Sequence, residues 1–212
     1  MAQTSSSSTR IPRRRSTDGP KTLPSRPEPE VAGALQKALD GYFPEARADV
    51  RVLLEDPSLR PTSGLTVEEA RQHTTESLSK VLKTGMPYGA FRTDQGGTGD
   101  TGGTLTGIEM LGHTDLSLMV KSGVQWGLFG GAVSNLGTER HGELVRDLIE
   151  LRALGCFAMT ERGHGSDVQS LETTAHYDPE TEEFILNSPT ASSEKWFVGN
   201  AARDGRWAAV CC

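Results

Sequence analysis

The sequence predicts an α+β chain, with an amino-terminal all-helical domain over residues 31–153 and a β-rich unit over residues 154–212. Three observations lead there. Apolar residues recur at helical spacing through much of residues 31–153, and a capping signal at Thr66 marks a helix start within them. From Gly155 onward the pattern changes to short apolar runs separated by turn residues.

Residues 1–30 are rich in Ser, Thr, Arg and Pro. Their low apolar content cannot offset an ordering cost of roughly 1–2 kcal/mol per residue, so a disordered basic tail is expected. No acidic residue precedes Asp18, which keeps an organelle transit peptide open as the alternative. Val31 to Tyr42 reads as a helix, and Pro44 opens a second that runs to about Leu54, before Pro57. In the capping box, Thr66 and Glu69 each satisfy an exposed backbone donor. The helix it opens continues to about Lys83, where Gly85 and Pro87 close it.

Residues 94–103 are dense in Gly and Thr. A phosphate-binding loop would need a Gly-Lys-Ser/Thr ending and a preceding strand, and neither is present. A flexible loop between helices is expected instead, one able to lie over a ligand. Asp115 to Leu136 is an apolar helical stretch with several glycines, each costing roughly 1 kcal/mol relative to alanine. Such tolerance suggests close approach of a backbone or ligand, and a buried core helix is the plainer alternative. Glu139 to Leu154 reads as an amphipathic helix with Leu144, Leu148, Leu151 and Leu154 on one face. The strands expected after it are Phe157 to Met159, Glu172 to Tyr177, Glu183 to Leu186 and Trp207 to Cys211. Asp178 to Glu182 forms a turn between the middle two. The chain stops one residue past the last strand, from which residues downstream are expected to be missing.

Length and charge bound the function. The 212 residues, 35% hydrophobic, suffice for one large domain or one and a half smaller ones. The net charge is −6; residues 1–30 hold six basic and three acidic side chains, leaving a net of −9 for the remainder. An acidic body behind a basic arm argues against nucleic acid as a partner. No apolar run approaches the ~20 residues of a membrane span, and no secretory signal follows Arg13 to Arg15. Three cysteines form neither a disulfide framework nor a metal spacing, and five scattered histidines suggest no zinc site. A reducing compartment follows, cytoplasmic by expectation, with peroxisomal or mitochondrial alternatives for a eukaryotic source.

Two motifs carry the chemistry. Cys156 to Asp167 runs from an apolar strand into a turn of glycine, hydroxyl and acidic residues, where backbone N–H groups lie open to a planar or phosphorylated ligand. Lys195 to Asn200 puts two adjacent aromatics beside a glycine, a wall for a flat ring. Together they suggest a cofactor site built from two parts of one β-rich unit.

These segments resemble an acyl-CoA oxidase, within the acyl-CoA dehydrogenase superfamily. The family's Thr-Glu followed by Gly-x-Gly-Ser/Thr stands here as Thr160, Glu161, Gly163, Gly165 and Ser166, and the intervening His164 is the oxidase form. Leu171 to Ala175, Glu183 to Thr190, Gly123 to Gly131 and Leu136 to His141 fit the same pattern, so the resemblance covers roughly residues 31–212. It implies a helical domain, a small antiparallel β-barrel or sandwich begun here, and a carboxy-terminal helical bundle that is absent. That bundle is where the family places its catalytic glutamate, so no catalytic base is expected in this chain.

The implied reaction is FAD-dependent oxidation of a fatty acyl-CoA to a trans-2-enoyl-CoA. Oxygen is the acceptor, hydrogen peroxide the by-product, and a homodimer the full-length assembly. Cofactor contacts are expected at Thr160, Ser166, Trp196, Phe197 and Gly199, with Ser166 also able to reach the acyl-CoA. Trp196 and Phe197 are either flavin wall or core. Glu161 looks like a base, but the resemblance makes it structural, and His164 a turn residue. Arg162 and Lys195 are either contacts for CoA phosphates or plain surface cations. The alternatives are a dehydrogenase passing electrons to an electron-transfer flavoprotein, and a truncated paralogue that only binds.

Overall fold

A computed structural model describes residues 28–212, so the tail expected over residues 1–30 lies outside the described residues except for its last three. Of those, Pro29 and Glu30 already belong to the first helix, α1 (Pro29–Asp40). The chain divides into two compact units, residues 1–39 and 40–212. The described part of the first is nearly all helix, with Glu30 in the first turn and Lys37 in the last, each suited to its end of the helix dipole.

The second unit opens with α2 (Pro44–Leu54), started by Pro44 at its first position. The helix α3 (Val67–Lys83) carries the expected capping box, in which the Thr66 hydroxyl accepts from the Glu69 amide while the Glu69 carboxylate accepts from the Thr66 amide. Next comes a departure from expectation. The last three residues of the glycine- and threonine-rich segment are helical, because α4 (Thr101–Leu111) begins inside it. The Asp100 carboxylate accepts from the Gly103 amide at 2.9 Å and caps that start. The loop before it is pinned, since the amides of Thr98 and Gly99 donate to the carbonyls of Tyr88 and Phe91, both at 2.9 Å.

The long apolar stretch is one rod in three parts, α5 (Leu116–Ser122), a π-helical segment Gly123–Phe129, and α6 (Gly130–Leu136). The wider turn presents Gln125, fully buried, and Trp126 toward the following elements. Gln125 Nε2 donates to the carbonyls of Leu148 and Ala153, its Oε1 accepts from the Gly155 amide, and Trp126 Nε1 donates to the Ile149 carbonyl. These bonds tie the rod to the end of α7 (Gly142–Ile149) and the start of the first strand. The amphipathic helix therefore stops short of Leu154, and Leu151 turns out of it with a φ of 60°. Leu78, Phe91, Leu111, Leu118, Phe129 and Leu148 form the heart of the helical core.

The strands are β1 (Gly155–Ala158), β2 (Thr174–Asp178), β3 (Glu183–Asn187) and β4 (Trp207–Val210). An antiparallel arrangement throughout was expected, and half of it is corrected. β2 and β3 form an antiparallel ribbon, with Tyr177 opposite Phe184 and their ring centroids 5.3 Å apart. β1 and β4 run parallel, Gly155 opposite Trp207. The 48 residues between β1 and β4 allow the long return that a parallel pair requires. Among the described residues the strands make two separate two-stranded sheets.

Gly155 is where the two layers meet. A Cβ there would fall 2.1 Å from Cδ1 of Phe129, so only glycine lets β1 lie on the rod.

Candidate functional site

β1 runs on into Met159 and Thr160, and the chain then makes a short antiparallel bridge in which Glu161 faces Lys195. The flanking hydrogen bonds run from the Trp196 amide to the Thr160 carbonyl (3.0 Å) and from the Arg162 amide to the Glu194 carbonyl (2.9 Å). Glu161 and Lys195 are thus a non-hydrogen-bonded pair, the kind whose side chains approach most closely. Because side chains alternate along extended backbone, Thr160, Arg162, Glu194 and Trp196 occupy the other face.

The inner face is a closed ionic knot. Glu161 is 1% exposed. Its Oε1 accepts from the Thr173 amide (2.9 Å) and from Lys195 Nζ (3.1 Å), and its Oε2 accepts from the Glu172 amide (2.9 Å). Burial by itself would raise the carboxyl's pKa, but the Glu172 amide, Thr173 and Lys195 outweigh it and hold the value at about 2. Lys195 Nζ spends its other two donors on the carbonyls of Met159 (3.0 Å) and Cys211 (2.7 Å). The structural role expected of Glu161 is what its surroundings show. Lys195 is fully engaged, which leaves Arg162 as the outward cation.

A second knot fixes the glycine turn. Glu172 accepts from Ser192 Oγ (2.5 Å) and Thr190 Oγ1 (2.8 Å), and His164 Nε2 lies 2.9 Å from its Oε1. The bonds from Ser192, His164 and Thr190 lower the Glu172 pKa. His164 is therefore a turn residue. A Cβ on Gly163 would come within 2.7 Å of the Ser192 Cβ, so the turn packs against the 190–195 segment only as glycine. Glu161, His164 and Glu172 bring three potential metal-ligand atoms within 4.8 Å of one another, but each is already committed to the bonds above.

On the outer face the structure brings together Thr160, Trp196 and Arg162. The guanidinium of Arg162 stands 5.5 Å above the Trp196 ring and its Nη1 lies 3.6 Å from the Glu194 carboxylate. The Thr160 hydroxyl has no hydrogen-bond partner among the described residues. Trp196 is 44% exposed and Phe197 87%, so neither is core. Their rings meet edge to face at 89°, with centroids 6.1 Å apart, because Phe197 leaves the strand at a φ of 54°. Only one of the two can lie flat against a given planar ligand.

The remaining expected residues lie apart from this cluster. Ser166 is exposed on the loop beyond the glycines. Gly199 faces the helical layer, where a Cβ would sit 3.2 Å from Cγ2 of Val124. Together with Asn200 it lines an open, apolar groove of about 630 Å³ whose far wall is formed by α3 and α5, including Ala70, Leu116 and Val120. The turn after Asn200 is latched to those helices: Asp204 accepts from Lys121 Nζ (2.5 Å) and Thr75 Oγ1 (2.8 Å), and Arg203 pairs with Glu68 at 3.0 Å.

Sequence reasoning missed Glu172 and the latch. Alternation of Thr160-Glu161-Arg162 against Glu194-Lys195-Trp196 is the signal that would have matched Glu161 with Lys195.

Comparisons with known proteins converge. The model of the acyl-CoA dehydrogenase middle domain matches residues 156–212. Acyl-coenzyme A oxidase 2, peroxisomal, of Arabidopsis thaliana is 49% identical over 104 residues, covering 49% of this chain and 15% of that protein. Putative acyl-coenzyme A oxidase 3.2, peroxisomal, from the same plant is 34% identical over 189 residues, covering 83% of this chain and 28% of that one. Among solved structures, the tomato acyl-CoA oxidase LeACX1 superposes with a TM-score of 0.62 at 25% identity, covering 84% of this chain and 26% of that one. The chain spans less than a third of each of these relatives.

Proposed function

The chain belongs to the acyl-CoA oxidase family, of which it spans one part, and on that premise we propose that it forms the front of a site for FAD-dependent oxidation of a fatty acyl-CoA. The observation that carries this reading is the outer face of the Glu161–Lys195 bridge, where an unpartnered hydroxyl on Thr160 stands directly across from the exposed ring of Trp196. A flat, polar-edged ring system fits such a face, with one edge bonded and one face covered.

Thr160 and Trp196 would hold FAD, which would supply the acceptor for a hydride from the thioester's β-carbon while the α-proton leaves to a base; in the full-length protein the two electrons would pass on to oxygen, giving hydrogen peroxide. The chain's own residues bind and orient. Thr160 donates or accepts a hydrogen bond at the ring's polar edge. Trp196 shields one face from water and lowers the local dielectric, so that bonds at the edge strengthen. Phe197, set at right angles, closes a side of the site. Ser166 reaches toward the acyl-CoA from the exposed loop beyond the glycines, and Gly199 holds the aromatic segment close to the rod through Val124. The glutamate knots fix these groups before ligand arrives.

A second reading has its own support: a chain that binds flavin or acyl-CoA without turnover. The carboxylates of Glu161 and Glu172 are held by hydrogen bonds from other groups, so neither stands free to abstract a proton, and that of Glu194 lies 3.6 Å from the Arg162 guanidinium. The peroxisomal names of the Arabidopsis relatives favour the peroxisomal alternative over the cytoplasmic expectation. A homodimer and oxygen as acceptor belong to the proposal for the full-length protein.

Titration of the purified chain with FAD, followed by flavin fluorescence, tests the reading. Saturable quenching that weakens in Thr160→Val supports it. Absence of any quenching at millimolar protein would remove it.

A further inference from the structure

The ionic knot under the site uses two groups that flavin chemistry does not need to touch, and its geometry gives it a task. Lys195 Nζ joins three separate pieces of chain: the end of β1 through Met159, the bridge through Glu161, and the end of β4 through Cys211. Its side chain is 15% exposed and that of Glu161 is not exposed at all. Glu161 in turn reaches forward to the amides of Glu172 and Thr173. A one-residue slip of the 194–196 segment would put Trp196 inward and Lys195 outward, because the side-chain period of extended backbone is two. The bridge itself is a single pair with two flanking hydrogen bonds, too short to define its own register. A slipped register would bury the Trp196 ring beside a Glu161 carboxylate that keeps the Glu172 and Thr173 amides but has lost its Lys195 cation, which is strongly unfavourable.

We infer that Lys195, acting through its buried pairing with Glu161, is a positioning residue that sets the register of the bridge and so holds Thr160 and Trp196 side by side on the ligand-facing surface. This rests on the flavin reading above. It goes beyond it in assigning to the hidden face of the bridge the job of arranging the visible one. Lys195 touches no ligand. The pair costs desolvation, and a hydrophobic pair of similar volume would fold as well; what such a pair would lack is the directional demand for three carbonyl and carboxylate oxygens at one point.

The test compares the chain as it stands with Lys195→Arg, Lys195→Met, and Lys195→Met combined with Glu161→Gln. The double variant removes both charges and keeps the fold measurable where the single Met variant leaves a buried carboxylate stranded. Three quantities are read: hydrogen exchange of the Trp196 amide, the dissociation constant for FAD, and the position of the visible absorbance band of bound FAD. In the double variant, folded by circular dichroism, the Trp196 amide exchanges at least tenfold faster, FAD binds at least tenfold more weakly, and the absorbance band moves toward that of free FAD. Lys195→Arg, which keeps a multidentate cation, stays within threefold of the parent in both exchange and binding. A folded double variant with parental exchange, binding and spectrum overturns the inference. So does weakened binding with an unchanged Trp196 amide, which would place Lys195 in direct contact with the ligand. A parent chain that binds no FAD at any concentration instead removes the flavin reading, and it is recognised before any variant is made.

Discussion

Lys195 Nζ sits 3.1 Å from Oε1 of Glu161 on one side of a two-segment bridge, and the same bridge places Thr160 across from Trp196 on the other. The pairing explains why a family-like Thr-Glu and a Lys-Trp, 34 residues apart, act as one unit. Two residues of each segment supply the outer face and its support, and alternation keeps them separate. Glu161 is then a poor candidate for proton chemistry, since its pKa is held at about 2 and both its oxygens are filled.

That depressed pKa makes stability depend on acid. A carboxyl ordinarily near 4.5 and held at about 2 in the folded chain contributes fully above about pH 4.5, and the contribution drains as pH falls toward 2. Urea midpoints measured from pH 6 to pH 2 should fall steeply across this window in the parent chain. Glu161→Gln, with nothing to protonate there, should show a shallower acid limb from a lower starting point. Parallel curves would mean that Glu161 titrates normally.

Thr160→Val keeps the shape of the side chain and removes its hydroxyl. The loss of one hydrogen bond to the flavin edge, about 1 kcal/mol, should weaken FAD binding about fivefold. The unfolding midpoint should not move, because the hydroxyl has no partner among the described residues. A stability loss with unchanged FAD affinity would return Thr160 to the role of a turn residue.

Gln125→Leu should be among the most damaging single changes in the helical layer. Leucine fills the space but strands the Gly155 amide and the carbonyls of Leu148 and Ala153 in a fully buried site. A cost of roughly 2–4 kcal/mol follows, the sum of more than one orphaned group. It should appear as a lower urea midpoint at unchanged slope.

Much of this architecture is legible in the sequence, and the failures have physical causes. Thr66 and Glu69 announce α3 because a capping box is local. The start of α4 stays hidden because Gly102, Gly103 and Thr101 are poor helix formers, and the helix is decided by Asp100 and by Thr104, whose hydroxyl donates to the Met86 carbonyl. The parallel pairing of β1 with β4 depends on a return across about fifty residues that no local signal encodes. At the candidate site, the glycine turn and aromatic pair stand out by composition. Glu172, Ser192 and Thr190 do not, since each is an ordinary polar residue until folding brings them within 2.5–2.8 Å.

The latch between the 200–206 turn and the helices should be a real coupling. The side chains of Lys121 and Asp204 are each 11% exposed and their contact is 2.5 Å. Burial by itself would raise the Asp204 pKa, but Lys121 and Thr75 outweigh it and lower it. Asp204→Ala strands a buried ammonium, at a cost of about 3 kcal/mol. Lys121→Met with Asp204→Ala should recover part of that loss, and a double-mutant cycle on the thermal midpoint measures it. Strict additivity would show that the two groups ignore each other.

The chain as it stands should not turn over acyl-CoA even when loaded with FAD. Dehydrogenation requires a base within hydrogen-bond reach of the thioester's α-proton, with the flavin on the opposite face. Glu161 lies beneath the bridge and is held at about 2, Glu172 accepts three side-chain bonds, and Glu194 faces Arg162. Of the three, only Glu194 shares the outer face with Thr160 and Trp196, and its carboxylate lies 3.6 Å from the Arg162 guanidinium. Anaerobic mixing of the FAD-loaded chain with saturated acyl-CoAs of graded length should therefore leave the flavin's visible band intact over minutes, although binding itself perturbs its shape. Bleaching at an enzyme-like rate would show that a base exists within these residues. Glu194→Gln would then be the first variant to make, because a loss of bleaching there, with FAD affinity preserved, would identify the base as the carboxylate that Arg162 releases when the ligand arrives.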